Sequence, residues 1–328
     1  MNTRKIAYFL LREAGIGVAL VALCTVFAFA APRFASPINF TNIMTQISIN
    51  TAIAVGMTFV ILLGGIDLSV GSVLALASIA AGLVITSKAL DTRAAIVLAI
   101  AASVGVGMVC GLFNGAVTER WKIHSFIVTL GMMNIARGAA LQVSNSRTIF
   151  NFPEAFNAFG TLTIIGVPII FVIALCLILV GNFFLRRTVF GRMIYAIGNN
   201  EESVRLSGHN TSIYKLAAYV ICGGTVGIAA IMYMLRLNIS SPILGVGFEL
   251  NAIAAVVIGG TSMSGGKGSL TGTFLGACIM GVLNNGLLLI GLGDFARQIV
   301  TGAVIILAVI LDVYRNRLSR RLSSTMGA

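Results

Sequence analysis

The chain has 328 residues, 58% of them hydrophobic and only 10% charged, with a net charge of +12 and a mean hydropathy of +1.00. Those values exclude an ordinary soluble domain. They also exclude a nucleic-acid binder, which needs a basic patch with interleaved aromatics on a soluble surface; here the positive excess suits anionic lipid headgroups.

Cutting the sequence at its charges leaves ten apolar stretches, most of them near the ~20 residues that a helix needs to cross ~30 Å of hydrocarbon. The first, Gly15 to Ala31, follows Arg4, Lys5 and Arg12 and has the outline of a signal peptide as far as Ala28-Phe29-Ala30. Nine further spans behind it favour a retained first helix. Ile43 to Leu63, Val70 to Ser87, Ala94 to Val117 and Ser125 to Val143 come next, then Ile164 to Leu185. Ile213 to Leu235, Leu250 to Gly260, Leu270 to Leu292 and Phe295 to Val313 complete the set. The expected fold is all-α, a polytopic membrane bundle of about ten transmembrane helices, some discontinuous, forming a single integral membrane domain over residues 1–328.

Cytoplasmic loops carry an excess of Lys and Arg. Ten crossings put fifteen of the 22 basic residues on the side of the two termini and six on the other, with Arg137 inside the fifth span. Both termini are therefore expected in the cytoplasm. Gly107, Gly111 and Gly115, Gly223 with Gly227, and Gly272 with Gly276 repeat a spacing that lets helix backbones approach closely. Residues 60–72 and 257–269 resemble each other, each an apolar run broken by Gly-Gly, then Ser and Gly; paired breaks of this kind point to discontinuous helices beside a solute route.

Residues 186–212, RRTVFGRMIYAIGNNEESVRLSGHNTS, are the long charge-rich segment between spans. A channel that only passes a solute has little use for such a segment, whereas a pore worked by a soluble motor must offer it something to grip. Asn199 or Asn200 can cap a short helix with Glu201 and Glu202 in its first turn, Arg205 late, and Gly208 as its stop.

Few residues have the pattern of catalysis. In GGKGS (Gly265 to Ser269), Thr261 stands where a phosphate-binding loop needs its first glycine, and Gly268 follows Lys267 where Ser or Thr is required. ATP hydrolysis by this chain is not expected. His124 and His209 have no Cys, His or carboxylate neighbours at metal-ligand intervals, so no metal is expected. The five cysteines read as small packing residues. The polar groups within the spans say more, because an ionised side chain at bilayer centre costs about 2.5–3.5 kcal/mol and so faces a cavity or a partner. Asp67, Arg137 and Glu249 are such charges, with Asn50, Asn114, Asn134, Asn251, Asn284 and Asn285 around them. Amides offer both donor and acceptor to a polyhydroxylated solute, and equally tie helices together. Asp67 reads first as a cap for the helix starting near Ser69 and second as a solute contact. These features leave open a self-sufficient ion-coupled secondary carrier or channel for a small polar solute.

From about Asn42 to Asp312 the sequence resembles the permease subunits of bacterial ribose-type ABC importers for monosaccharides. The segments that carry the resemblance are GMTFVILLGGIDLSVGSVLAL (Gly56 to Leu76), FIVTLGMM (Phe126 to Met133), TVFGRMIYAIGNNEESVRLSGHN (Thr188 to Asn210), ELNAIAAVVIGGTSMSGGKGS (Glu249 to Ser269) and GVLNNGLLL (Gly281 to Leu289). It departs at Lys122-Ile-His-Ser125, where prolines are usual, and at His209, where isoleucine is frequent. The resemblance implies a non-catalytic homodimeric permease of the bacterial inner membrane that moves a ribose-like pentose or hexose inward by alternating access. It implies a periplasmic monosaccharide-binding protein as partner, and ATP-binding cassette subunits that hold ATP and Mg, with no cofactor in this chain. Residues 186–212 then resemble the cytoplasmic coupling loop, with Gly191, Arg192, Glu201, Glu202 and Arg205 as coupling residues. Asp67, Asn114, Glu249, Asn284 and Asn285 are the expected solute path.

Overall fold

A computed structural model describes the backbone of residues 3–325 and the side chains of residues 14–314. The basic residues Arg4, Lys5 and Arg12 near one terminus, and Arg315, Arg317, Arg320 and Arg321 near the other, have side chains outside that range. The first half of the bundle is α1 (Thr3–Ala30), α2 (Pro37–Leu62), α3 (Val70–Ile85), α4 (Thr92–Trp121) and α5 (Ser125–Val143). A short helix α6 (Glu154–Thr161) and a two-stranded hairpin, β1 (Thr163–Ile164) and β2 (Val167–Pro168), lead into α7 (Ile169–Arg187). Then come α8 (Val189–Asn199), α9 (Glu201–Leu206), α10 (Thr211–Leu237), α11 (Phe248–Ile258), α12 (Leu270–Leu289) and α13 (Asp294–Thr325).

Seven of the described helices are long and apolar enough to cross a membrane, and three shorter apolar helices, Ala14–Ala30, Val70–Ile85 and Phe248–Ile258, accompany them. The expected span Leu250 to Gly260 is one of these shorter helices. The 11 residues of α11 rise only ~16 Å, and irregular backbone over residues 259–269 follows before α12 starts.

The layering follows from which faces are small. α2 and α10 bury 83% and 78% of their most apolar windows and form the centre, whereas α13 buries 6% and faces outward. α4 lies against α10 at near backbone contact: a methyl group on Gly107 would collide with the Gly223 carbonyl, and one on Gly223 with the Gly107 carbonyl. Lipid tails supply no hydrophobic drive between helices, so such close fits and a few polar links do the holding. Ser103 Oγ donates to the Gly227 carbonyl at 2.8 Å, Thr58 and Thr273 hydroxyls meet at 2.9 Å, and Asn39 and Asn285 exchange amide bonds at 2.9 Å each. Cys110 and Cys222 are buried as expected, but Cys176 is exposed, because it lies on an outward face of α7.

The two similar segments meet. The Gly266 N–H donates to the Leu62 carbonyl at 2.9 Å, joining the break after α2 to the break after α11. Gly266 has φ +72, and a side chain there would strike Asn199 at the end of α8. Tyr195 Oη donates to the Gly268 carbonyl at 3.0 Å and Asn199 Nδ2 to the Gly266 carbonyl at 3.4 Å. Both breaks thus lie at the end of the bundle that carries α8 and α9.

Candidate functional site

Three places bring together the polar groups of this oily chain. The first is the interruption between α2 and α3. Asp67 is buried, and its Oδ1 accepts from Ser69 N–H at 2.9 Å and Ser69 Oγ at 2.6 Å. Asn114, reaching across from α4, donates to Asp67 Oδ2 at 3.4 Å and to Ser69 Oγ at 3.0 Å. α5 satisfies the exposed backbone of the same break. Ile66 N–H donates to Ser125 Oγ at 3.1 Å, Leu68 N–H to Thr129 Oγ1 at 3.2 Å, and Thr129 Oγ1 in turn donates to the Ile66 carbonyl at 3.2 Å. Non-helical backbone at membrane depth requires partners of this kind. Asp67 and Asn114 therefore lie together, bonded to each other and to the turn.

At its other end α5 is held by Arg137, whose Nη1 donates to the carbonyls of Pro242 and Leu244 at 2.6 and 2.7 Å. Those carbonyls belong to the loop that leads into α11. Glu249 lies in the first turn of α11, and its Oε1 accepts from Gly247 N–H at 3.2 Å, where a negative charge suits the helix N-terminus. Between these anchors α5 turns an exposed face outward, with Gly131, Asn134 and Gly138 on it; a methyl group on either glycine would meet open space.

The second place is a cavity of about 280 Å³ between α2, α10, α11 and α12. Gln46, Asn50, Asn251 and Asn284 give it four amides. Tyr233 and Phe248 add an aromatic wall, their rings 6.1 Å apart and tilted at 53°. Asn284 Nδ2 is engaged by the Met280 carbonyl at 2.9 Å, whereas Asn50 Oδ1 is buried with no hydrogen-bond partner among the described residues. A buried acceptor in that state is costly unless something from outside the chain completes it. Asn285, beside Asn284 in sequence, is not in this cavity and pairs with Asn39 instead. Gln46 and the two aromatics escaped the sequence reading, since polarity at one position of an apolar helix does not say which cavity it meets.

The third place is α8 with α9. Thr188 caps α8 by accepting the Gly191 N–H at 3.3 Å, and Gly191 touches the Leu185 backbone so closely that no side chain fits. Ile194 and Ile197 are buried and Arg192 is exposed. Asn200 Oδ1 caps α9 through Ser203 N–H at 3.0 Å, and Gly208, at φ +82, follows its end, as the sequence reading expects. α9 is two-faced: Val204 is buried, whereas Glu202 and Arg205 pair at 2.7 Å in solvent and Leu206 is 79% exposed. The eleven-residue α8 was not expected, although Phe190, Ile194 and Ile197 follow the spacing of one helical face. Glu119 and Lys215, which lie beneath α9, also escaped the sequence reading.

A bundle of apolar helices with paired breaks and an amphipathic helix pair, α8 and α9, at one end has the architecture of a transport permease. The family described as branched-chain amino acid transport system / permease component matches residues 39–309, and the chain belongs to that family. It is similar to the ribose import permease protein RbsC of Escherichia coli K12, with 40% identity over 90% of this chain and 92% of the relative. The L-arabinose ABC transporter permease protein AraH of Azospirillum brasilense is 33% identical over 95% and 90%, and the D-allose transport system permease protein AlsC of Escherichia coli K12 is 35% identical over 89% of each. No solved structure matches the chain.

Proposed function

We propose that this chain is the membrane permease of an ABC importer that carries a monosaccharide inward across the bacterial inner membrane by alternating access. The observation that carries the reading is the outer face of α8 and α9, where Arg192, Glu202, Arg205 and Leu206 are exposed, a charged and partly apolar surface at one end of an otherwise oily bundle, which a soluble motor can hold. Its end of the molecule is the cytoplasmic one, with both termini on that side, in accord with the excess of Lys and Arg. Residues 186–212 are the coupling segment of a single permease domain over residues 1–328. ATP and Mg belong to partner cassette subunits that meet Arg192, Glu202, Arg205 and Leu206; Gly191 sets the angle at which α8 leaves α7, and Glu201 faces the bundle. On the periplasmic side a monosaccharide-binding protein delivers the solute.

The sugar follows from what relatives at 33–40% identity are named for transporting and from the chemistry of the cavity. Amides can both donate to and accept from hydroxyls, aromatic faces pack against the apolar side of a sugar ring, and about 280 Å³ falls just below the ~300–1,000 Å³ of sites for larger ligands. Asn284 is thus the path residue among those expected, joined by Gln46, Asn50 and Asn251. Asp67, Asn114, Glu249 and Asn285 hold the broken helices in place. A second copy covers the exposed α5 face that bears Gly131, Asn134 and Gly138, where Asn134 Nδ2 bonds the Leu130 carbonyl at 3.0 Å and two glycines let another helix approach closely.

Reconstitution tests this reading. Proteoliposomes containing this chain, its cassette subunits and the binding protein should accumulate ribose, L-arabinose or D-allose when ATP is supplied to the cassettes, and the chain alone should accumulate none of them under a proton or sodium gradient. Gradient-driven accumulation by the chain alone would identify a secondary carrier instead.

A further inference from the structure

A helix of six residues such as α9 does not hold itself folded in water, so the contacts that fix it decide what any force on it can do. One is the buried Val204. The other is Glu201, which turns away from the solvent pair formed by its neighbour Glu202 with Arg205. Glu201 Oε2 accepts from Lys215 Nζ at 2.5 Å, and the same Nζ lies 3.0 Å from Glu119 Oε1. Lys215 belongs to the first turns of α10 and Glu119 to the last turn of α4. Lys215 is 17%, Glu119 8% and Glu201 38% exposed, against 67% and 59% for Arg205 and Glu202. Hydrogen bonds close the cluster: Glu119 Oε2 accepts from Ser212 Oγ and Lys122 Nζ, each at 2.9 Å, and Glu201 Oε1 accepts from Thr211 Oγ1 at 3.1 Å.

We propose that Glu201, Lys215 and Glu119 form a strut that transmits movement of α9 to α4 and α10, and through them to α5. This rests on the reading of α8–α9 as the cassette contact. An exposed ion pair yields easily to water, whereas separating the shielded Lys215–Glu119 pair leaves a charge uncompensated. A shift of α9 therefore pulls on α10 through the bonds of Glu201 to Lys215 and Thr211, and Lys215 cannot shift without Glu119. α4 and α10 then move as one body, because their backbones touch at Gly107 and Gly223. Five residues before Glu119 on α4, Asn114 grips Asp67 and Ser69, and the backbone on either side of Asp67 is bonded to Ser125 and Thr129 of α5. The strut is thus joined, through five residues of the α4 helix, to the polar cluster around Asp67 and from there to α5, whose outer face is exposed. Glu201, Lys215 and Glu119 are positioning residues in this scheme, with no contact to solute or nucleotide.

Coupling of this sort is established by a cycle of variants rather than by adjacency. The complete transporter would be assayed for sugar imported per ATP hydrolysed, using ribose, L-arabinose and D-allose as probes, with the wild type, Glu201→Gln, Lys215→Met and the double variant. Each single change should lower the ratio about tenfold while hydrolysis continues, and the double change should lower it no further, because one contact is lost in all three. Glu201→Asp should recover part of the ratio. Should Lys215→Met fail to assemble, Glu119→Gln combined with Glu201→Gln repeats the cycle with the lysine in place. Single variants at the wild-type ratio, or effects that multiply in the double variant, would overturn the strut alone. A wild type with no ATP-driven uptake would overturn both the strut and the function it rests on.

Discussion

Asp67 is a buried carboxylate that accepts three hydrogen bonds from two side chains and one backbone N–H, at the point where α2 gives way to α3. Replacing it with alanine strands those donors away from water, at about 1–3 kcal/mol for each that finds no new partner. Asp67→Ala should therefore lower the unfolding temperature of the purified chain in detergent, and Asp67→Asn, which keeps an acceptor for Ser69, should lower it less. Equal stability of all three would remove Asp67 from its structural role. The sequence draws attention to Asp67 and Asn114 as polar groups in apolar surroundings, but not to their pairing across 47 positions, because polarity marks a need for a partner without naming one. Asn284 and Asn285 make the same point at closer range. Neighbours on a helix point ~100° apart, so one meets the cavity and the other meets Asn39, a choice set by helices far away in sequence.

At the scale of elements, the apolar runs and their breaks were readable because hydrophobic length and glycine spacing are local properties. The glycine repeats in α4 and α10 do bring the backbones together. Gly107→Leu or Gly223→Leu should then prevent that contact, with overpacking costs of about 1–3 kcal/mol or more seen as loss of monodisperse protein on size exclusion. Gly105→Leu is the control, because a side chain there meets open space, and the idea fails if all three behave alike. α11, at Phe248–Ile258, lies within two residues of the apolar stretch Leu250 to Gly260, and Gly260, at φ +81, follows its end. α8 is an element that the charge-rich character of residues 186–212 hides: its one charge, Arg192, is exposed, while Ile194 and Ile197 are buried and Phe190 packs beside them.

For the whole molecule, the gate in the proposed scheme is a lipid-embedded bundle and the work enters by contact at a single end, where α8 and α9 lie beside both helix breaks. The identity of the end, and not the helices themselves, decides the direction of transport. Leu206 is the most exposed apolar residue on that surface that the structure leaves without a place in the bundle, so it is the natural probe. A chain bearing Leu206→Cys, expressed with its cassette subunits and treated in intact cells, should cross-link to an ATP-binding subunit and stay hidden from a membrane-impermeant thiol reagent added outside. Labelling of that cysteine from the outside, with no cassette captured, would contradict the account.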